Sequence, residues 1–396
     1  MNHLSVKLGR VEVGDLRRRS GDAWEFRFRP EYQNLHPRPV LGQIFEDDLA
    51  RVHRENLRLP AFFSNLLPEG PLRELVARQA GVSNRREAFL LEVLGRDLPG
   101  AVVVDLVNGG DIDDEEAPSA PAVAPPQVPT PLKFSLAGVQ LKFSVLREGT
   151  RLNLPASGQG GRWIVKCPDP RHPGLPANEI SMLRWARKAG IEVPDHDLVP
   201  IAELQGLPDG LSFPEAEALA VRRYDRVETS RIHQEDFAQV LGLFPDAKYM
   251  RYNYETIGNV IHAVAGPAAF VEFAKRLAFV VLSGNGDAHH KNWSLLYPDG
   301  AHAALAPAYD LVFTRAYDPS DNLALNFGGS REFSEVTMAT FRRLARKSGY
   351  DEVLLADAVG EAAAAIRAAW KEINSELPVD LQAKARMDQH LGSIRF

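Results

Sequence analysis

The sequence has little cysteine, no long apolar run and no excess of positive charge. Cys167 is the single cysteine among 396 residues, so no intramolecular disulfide can form and a reducing compartment is compatible with the chain. No uninterrupted stretch of about 18 apolar residues is present to span a membrane, and the opening MNHLSVKLG alternates instead of forming the apolar run of a signal peptide. The net charge of −6 excludes a global attraction to nucleic acid or to an anionic membrane. We therefore expect a cytoplasmic protein that contacts no membrane and contacts DNA only through a partner.

The first 108 residues are predicted to form an α+β unit with a core of its own. Three stretches before residue 30 alternate between apolar and polar residues, which is typical of a small antiparallel β-meander. Helices are predicted over Ala61–Ala80, where Pro71 suits a first turn, and over Arg85–Leu94. The composition changes at 109–131, which contains five acidic residues, six prolines and no aromatic residue. That segment is predicted to be an extended linker, because it has too few apolar residues to build a core.

The densest cluster of polar residues lies between Val280 and Asp310. Asp287 and Asn292 stand as D-x-x-x-x-N, and Asp310 follows Asn292 by 18 residues, across a short apolar run and a Pro-Asp-Gly turn that predict a β-hairpin. Protein kinases use this arrangement: the first Asp accepts the proton of the substrate hydroxyl, and the Asn and the later Asp hold Mg²⁺. Mg²⁺ prefers such hard oxygen ligands. The motif also arises by chance, so a loop of capping residues is the alternative interpretation at this point.

A candidate phosphate loop lies in Lys133–Leu146. Its two apolar-alternating halves flank Ala137-Gly138, which predicts a β-turn-β with Ser135 and Lys142 at or near the tip, where a hydroxyl and a cation can meet phosphate. A single glycine is a weak phosphate signal, so an ordinary hairpin is the alternative.

Lys166 and Glu179 form a second candidate pair. Lys166 ends a short β-like segment, and Glu179 lies in the first turn of the following predicted helix. Kinases grip the nucleotide phosphates with a lysine on such a strand. A solvent-exposed lysine and a glutamate favoured by the helix dipole are the alternatives.

The rest of the chain is predicted to supply a connecting strand and a helical scaffold. Ala218–Arg226 reads as a strand whose backbone can face an adenine edge, or as an ordinary edge strand. Arg231–Asp236 is predicted to start a helix, with His233 in a structural role. Further helices are predicted near the following bounds: Thr256–Val264, Pro267–Leu282, Ser334–Ser348, Glu352–Glu376 and Val379–Leu391.

The order of these segments resembles the HipA family of serine/threonine kinase toxins over nearly the full length. The segments that carry the resemblance are FFSNLLPEGPLREL, KFSLAGVQLKFSVL, WIVKCPDP, PANEISMLRWARKAGIEVP, ALAVRRYDR, RIHQEDFAQVLG, GNGDAHHKNWSLL and YDLVFT. The resemblance implies an α+β, bilobal protein-kinase-like fold with an N-terminal β-meander and helical subdomain and a mostly α-helical C-terminal lobe. The implied division is 1–108 for the N-terminal subdomain, 109–131 for the linker, 132–224 for the kinase N-lobe and 225–396 for the helical C-lobe.

The resemblance also implies a role for each matching position. Asp287 is the implied catalytic base, Asn292 and Asp310 are the implied Mg²⁺ ligands, and Glu179 is the implied partner of a phosphate-gripping Lys166. The implied ATP-binding set is completed by the hinge backbone at Arg222 and Tyr224 and by the following residues: Ala137, Gly138, Val139, Gln140, Lys142, His289, Lys291 and Asn292. Ser135 matches the serine that family members autophosphorylate.

The implied partners are a protein substrate such as glutamyl-tRNA synthetase and a HipB-like antitoxin, through which any DNA contact would be made. The chain departs from the family loop D-G-H-A-K-N, since it has Ala288 in place of glycine and an additional His290. It also has Leu141 where the best-known member has an acidic residue, which makes the substrate the weakest part of the resemblance.

Two other functions fit some of these residues. In a metallohydrolase, Asp287, His289, His290 and Asp310 would surround a transition metal, but Lys166 and Glu179 would then have no common purpose. In an inactive kinase fold that serves as a binding module, one of Asp287, Asn292, Asp310 or Lys166 is expected to be lost, and all four are present.

Overall fold

The structure, a computed structural model, describes residues 3–107, 141–148, 151–154, 160–207, 210–228 and 230–396. The predicted linker at 109–131, Ser135 and the loop residues Ala137 to Gln140 lie outside the described residues. Within the described parts, no helix is long and apolar enough to cross a membrane.

The N-terminal unit is an antiparallel sheet covered by short helices. The strands are β1 (His3–Leu8), β2 (Val11–Arg18), β3 (Ala23–Phe28), β4 (His53–Asn56) and β5 (Val102–Leu106), in the order β4-β3-β2-β1-β5. The helices are α1 (Pro30–Gln33), α2 (Gln43–Glu46), α3 (Ala61–Ser64), α4 (Gly70–Gln79) and α5 (Glu87–Leu94). The predicted meander and the helix near Arg85–Leu94 are therefore confirmed.

The single helix predicted over Ala61–Ala80 is wrong, because the chain breaks between α3 and α4. Pro68 lies between the two helices, Gly70 at the start of α4 has a left-handed φ of 53°, and Pro71 is in the first turn of α4. A left-handed residue and a proline cannot continue a helix. The break leaves Asn65 and Glu69 at the turn between the two helices, where their side chains contact the C-terminal half of the chain.

The middle of the chain forms a second sheet backed by one long helix. The elements are β6 (Lys142–Glu148), β7 (Arg151–Asn153), β8 (Trp163–Lys166), α6 (Leu175–Lys188), β9 (His196–Pro200), β10 (Leu204–Gln205) and β11 (Glu217–Arg222). The strand order is β10-β7-β6-β8-β11-β9, and Lys142 lies directly opposite Lys166 in the β6–β8 register. Helix α6 begins after the left-handed Gly174 and is followed by the left-handed Gly190, as the helix-end pattern predicts.

The C-terminal half is a helical lobe with a three-stranded sheet at its edge. The three-stranded sheet has the order β14 (His233–Asp236), β15 (Ser294–Tyr297) and β16 (Ala304–Leu305). Two further strands, β12 (Arg226–Val227) and β13 (Ser230–Arg231), pair with each other. Its helices are α7 (Phe237–Val240), α8 (Tyr254–Leu282), α9 (Met338–Lys347), α10 (Glu352–Ile373) and α11 (Leu381–Ser393). The β15–β16 pair is the hairpin that the sequence predicts before Asp310, and Gly266 interrupts α8 where the sequence predicts two helices.

The helix predicted to start at Arg231 is wrong. Residues 233–236 pair with Ser294–Tyr297 as antiparallel strands, and the helix begins only at Phe237. Asp236 caps it: the Asp236 side chain accepts from the Gln239 amide, and the Gln239 side chain accepts from the Asp236 amide. His233 has the predicted structural role, because its ring is buried and its Nε2 lies 2.8 Å from the Leu41 carbonyl.

The expectation of a separate core for the first 108 residues is also wrong. One buried apolar cluster joins the N-terminal sheet, including Leu4 and Phe26, to Phe143, Val145 and Val165 of the second sheet. The opposite side of that sheet contributes Leu219 and Val221 to the second cluster, which is the core of the helical lobe. The middle sheet is thus packed between two cores. The division at residues 108, 131 and 224 stays a prediction.

Buried ion pairs reinforce the junction between the N-terminal unit and the end of β11. Arg223 pairs with Asp97 at 3.1 Å and with Asp225 at 2.8 Å, and Arg226 pairs with the same two carboxylates at 3.3 and 2.6 Å. All four side chains are at most 6% exposed. Asp225 also accepts from the Gly100 amide at 2.8 Å. The strand end is therefore fixed to the N-terminal unit by paired charges.

Candidate active site

The loop after α8 positions the first candidate carboxylate. The Asp287 amide donates to Asn285 Oδ1 at 3.0 Å, and Asn292 Nδ2 donates to the Asp287 carbonyl at 2.9 Å, so both ends of the loop are tied together. A Cβ at Gly286 would lie 2.0 Å from Asp321 Oδ2 and 2.6 Å from a backbone oxygen, which requires glycine before Asp287. The loop is therefore held by its own polar residues and by close packing.

The Asp287 carboxylate lies at the cleft surface of this loop and accepts a hydrogen bond from Tyr249. The distance from the Tyr249 hydroxyl to Asp287 Oδ1 is 2.5 Å. Burial raises the pKa of Asp287, against the lowering effect of the Tyr249 hydrogen bond and of Lys248. A carboxylate whose pKa is raised is a better proton acceptor while it stays ionised.

Asp310 is brought to the cleft by the β15–β16 hairpin and has a left-handed φ of 52°. Its carboxylate pairs with Lys166 and lies 3.4 Å from Lys142 Nζ. Burial opposes the charged form, but the two ammonium groups outweigh it and hold the pKa of Asp310 well below its usual range. Asp310 is therefore a carboxylate near pH 7.

Lys166 connects Asp310 to helix α6. Its ammonium group contacts both Asp310 and Glu179, and its side chain is 7% exposed. Burial opposes its charge, yet the two carboxylates raise the pKa of Lys166. Burial lowers the pKa of the neighbouring Lys142, although Asp310 partly compensates. The predicted Lys166–Glu179 pair is present, and Lys142 lies on a strand beside it.

A cleft of ≈ 630 Å³ is lined by Asp287, Asn292, Asp310, Lys142, Lys166 and the end of β11. This volume lies within the range of about 300–1,000 Å³ that is usual for ligand pockets. The Arg222 amide donates a hydrogen bond to the Asp195 carbonyl at 2.7 Å, and the Arg223 amide donates to the Arg162 carbonyl at 2.8 Å. In the described part of the chain the Tyr224 amide makes no hydrogen bond, so of these three amides it is the one without a partner in the protein. The Arg222 side chain points to Asp195 at 3.3 Å.

His289 and Lys291 lie on the loop after α8, beside this cleft, with different surroundings. Burial and the nearby Lys248 lower the pKa of His289 to about 3, and its Nδ1 has no hydrogen-bond partner among the described residues. Lys291 Nζ donates to Asn65 Oδ1 at 2.9 Å and lies 3.4 Å from both Glu69 and Asp236. His289 is thus neutral near pH 7, and Lys291 is held by the N-terminal unit. Their contact with a nucleotide stays a prediction.

Three contributors to this site were not identified from the sequence as site residues: Tyr249, Asn65 and Glu69. Glu69 Oε2 lies 2.8 Å from Lys248 Nζ, one residue before Tyr249. Asn65 and Glu69 are part of the FFSNLLPEGPLREL segment that resembles a known family, but spacing alone assigns them no chemistry. Tyr249 has no sequence signal, because its contact with Asp287 spans 38 residues.

The donor set suits Mg²⁺. Asn292 and Asp310 offer oxygen ligands, and the use of Asn292 Nδ2 by the Asp287 carbonyl leaves the amide oxygen for a metal. Among the described residues no three His, Cys, Asp or Glu side chains cluster as a metal site, and Mg²⁺ usually takes one or two carboxylates together with water and phosphate. The metallohydrolase arrangement is disfavoured, because Asp287, His289, His290 and Asp310 form no such cluster in the described part of the chain.

Comparison with known proteins gives a consistent result along the whole chain. The family model described as the HipA-like C-terminal domain matches residues 134–370, and that of the HipA N-terminal domain matches residues 4–105. Two Sinorhizobium fredii proteins, Y4dM and Y4mE, are 41% and 31% identical over 99% and 84% of this chain, and over 97% and 83% of their own lengths.

A Shewanella oneidensis protein connects the sequence and structure comparisons. This protein, the serine/threonine-protein kinase toxin HipA, is 25% identical over 66% of this chain and 64% of its own length. The solved complex of Shewanella oneidensis HipA with HipB and operator DNA matches with a TM-score of 0.72 at 21% identity, over 98% of this chain and 95% of that chain. This match confirms the predicted protein-kinase-like fold of mixed helices and sheets. With both family models matched in order, the chain belongs to the HipA family.

Proposed function

We propose that this protein is an ATP- and Mg²⁺-dependent protein serine/threonine kinase. The observation that carries the proposal is that one cleft is lined by Asp287 and by Asp310, which is paired with Lys166 and through it with Glu179. Phosphoryl transfer needs little covalent chemistry from the protein, and depends on positioning and on charge stabilisation. The cleft supplies a proton acceptor, two phosphate-binding cations and oxygen ligands for a metal.

Each residue has a defined task in this mechanism. Asp287 accepts the proton of the acceptor hydroxyl as its oxygen attacks the γ-phosphorus, and ADP leaves when the bond to the bridging oxygen breaks. Lys166 binds phosphate oxygens while Glu179 orients its ammonium group, and Lys142 adds a second cation from the adjacent strand. Bound at Asn292 and Asp310, Mg²⁺ would neutralise charge on the phosphates.

The adenine is proposed to lie against the backbone between Arg222 and Tyr224, where the Tyr224 amide can donate to a ring nitrogen. The Tyr224 ring lies 5.8 Å from that of Tyr309. Tyr309 in turn donates to the Lys291 carbonyl at 2.8 Å. The nucleotide end of the cleft and the catalytic loop are therefore linked by two aromatic residues.

The proposed biological role follows the relatives. The Shewanella oneidensis HipA is named a kinase toxin, and its solved structure includes HipB and operator DNA. By analogy we propose a HipB-like antitoxin as partner, DNA contact only through it, and a translation component such as glutamyl-tRNA synthetase as substrate. Ser135 is the proposed autophosphorylation site.

The test is phosphate transfer by the purified full-length protein and its Asp287→Asn variant. With γ-labelled ATP, Mg²⁺ and a cell lysate, the native protein is expected to label discrete proteins, which mass spectrometry identifies. Asp287→Asn is nearly isosteric and removes the proton acceptor, so it should keep the native circular dichroism spectrum and lose transfer at least 10²-fold. Transfer at a near-native rate would refute the assignment, and zinc-dependent turnover without ATP would favour a hydrolase.

A further inference from the structure

The segment before α8 places an aromatic residue at the mouth of the cleft. Tyr249 is 38% exposed, its ring meets His289 edge to face at 4.9 Å, and its carbonyl accepts from Arg331 at 3.0 Å. The flanking Lys248 is held by Glu69 at 2.8 Å. The tyrosine is therefore held by several neighbours while part of the residue stays exposed to solvent.

The hydroxyl of Tyr249 occupies a chemically specific position. It donates to Asp287 Oδ1 at 2.5 Å and is the one side-chain hydrogen-bond donor to that carboxylate among the described residues. In phosphoryl transfer, the acceptor hydroxyl must donate to the same carboxylate. Tyr249 thus makes the contact that an incoming serine or threonine hydroxyl would have to make.

We propose that Tyr249 is a specificity-determining residue whose hydroxyl occupies the acceptor position on Asp287 and keeps water out of it until a protein hydroxyl displaces it. The inference rests on the proposed kinase function and adds to it how the enzyme would spare ATP. Without the tyrosine hydroxyl, water can donate to Asp287, attack the γ-phosphorus and release ADP and inorganic phosphate, with the proton passing to Asp287.

The substitution that isolates this role is Tyr249→Phe, which keeps the ring and its contact with His289. Tyr252→Phe is the matched control: Tyr252 lies in the same segment, is 39% exposed, and its ring faces His290 at 6.3 Å instead of the carboxylate. Release of inorganic phosphate is measured with Mg·ATP alone, so that no acceptor protein has to be known.

We expect Tyr249→Phe to raise acceptor-free ATP hydrolysis by about tenfold, the equilibrium effect of one hydrogen bond to a charged group. Tyr252→Phe should hydrolyse ATP at the native rate. The double variant Asp287→Asn, Tyr249→Phe should lose the increase, because the gain depends on the freed carboxylate. A residue that only supported the loop would lower the rate when changed.

Two results would overturn the inference. The first is hydrolysis by Tyr249→Phe at or below the native rate, which would make Tyr249 a support for Asp287. The second is phosphate on Tyr249 itself after incubation with Mg·ATP, seen by peptide mass spectrometry, because the tyrosine would then be an acceptor. Failure of the kinase proposal is distinguishable, since it would appear as absent lysate labelling by the native protein.

Discussion

At the scale of residues, the candidate site contains a balanced group of charges around Asp310. Its carboxylate is shared by Lys166 and Lys142, and Lys166 is shared with Glu179. Two cations and two carboxylates thus balance each other in the described structure. In the proposed complex, Mg·ATP would bring a cation to Asp310 and phosphates to the two lysines, so each of these charged groups would exchange one partner for another.

Lys166→Ala and Asp310→Ala are each expected to weaken Mg·ATP binding by about 10- to 100-fold. The first removes a proposed phosphate-binding cation and the second a proposed metal ligand. The size of the effect corresponds to the loss of one hydrogen bond to a charged group, about 1.5–3 kcal/mol. Isothermal titration calorimetry measures the effect. Lys188→Ala is the control, since Lys188 pairs with Glu372 on the exposed end of the same helix α6. Unchanged affinity in both site variants would contradict the roles given to them.

The sequence predicted the charged residues of the cleft better than it predicted their neighbours. Asp287, Asn292 and Asp310 follow a spacing with a known chemistry, and Lys166 and Glu179 follow the order of elements. Tyr249 could not be found in this way, because nothing in the local sequence indicates that its hydroxyl contacts the Asp287 carboxylate. Contacts between distant segments depend on tertiary packing, which short motifs do not encode.

At the scale of elements, β14 shows where tertiary pairing overrides a local signal. Asp236 is a good helix cap, and residues 231–236 were therefore predicted to start a helix. Instead, residues 233–236 pair with β15 as a strand, and the helix starts at Phe237. Glu235 on this strand is fully buried, accepts from the Gln43 amide at 3.0 Å and from the Tyr297 hydroxyl at 2.5 Å. One strand therefore joins the N-terminal unit to the β15–β16 hairpin.

The stability of this junction should depend on pH. Burial raises the pKa of Glu235 from its usual 4.5 to about 8, so the folded protein binds this proton more tightly than the unfolded chain. The contribution of Glu235 is thus fully present below about pH 4.5 and is lost as the pH rises towards 8, at no more than about 1.4 kcal/mol per pH unit.

Glu235→Gln removes the titration but keeps an oxygen for both hydrogen bonds. The free energy of unfolding, measured with denaturant between pH 5.5 and 8.5 for the two proteins, should therefore fall more steeply with pH in the native protein. Subtracting the two curves cancels the other titrating groups. Parallel curves would show that Glu235 is ionised in the folded state throughout this range.

At the scale of the whole molecule, the N-terminal unit is part of the candidate active site. Glu69 contacts Lys248 and Lys291, and Asn65 binds Lys291, which lies directly before Asn292. The shared apolar core places these residues, because the N-terminal sheet packs on the middle sheet. The order of the units was predicted from the sequence. The contacts of Asn65 and Glu69 with the C-terminal half were not predicted, because they depend on the break between α3 and α4.

Glu69→Gln is expected to lower the transfer rate at least tenfold and to reduce stability by up to about 3–5 kcal/mol, because two largely buried ammonium groups lose their carboxylate. Kinase assays and denaturant unfolding measure the two effects. Glu31→Gln, on the exposed surface of the same unit, should leave both unchanged. A native rate for Glu69→Gln would mean that the N-terminal unit is only a scaffold for the cleft.

The ion pairs that bind Asp97 and Asp225 to Arg223 and Arg226 have a consequence for behaviour in salt. Counterions screen exposed charges over a Debye length of about 10 Å at 0.1 M, but they do not enter a dry interior. An exposed pair such as Arg58–Asp246, which also crosses between the two halves, is open to such screening. The buried network is not, so high ionic strength should weaken the Arg58–Asp246 pair and leave the pairs of Asp97 and Asp225 intact.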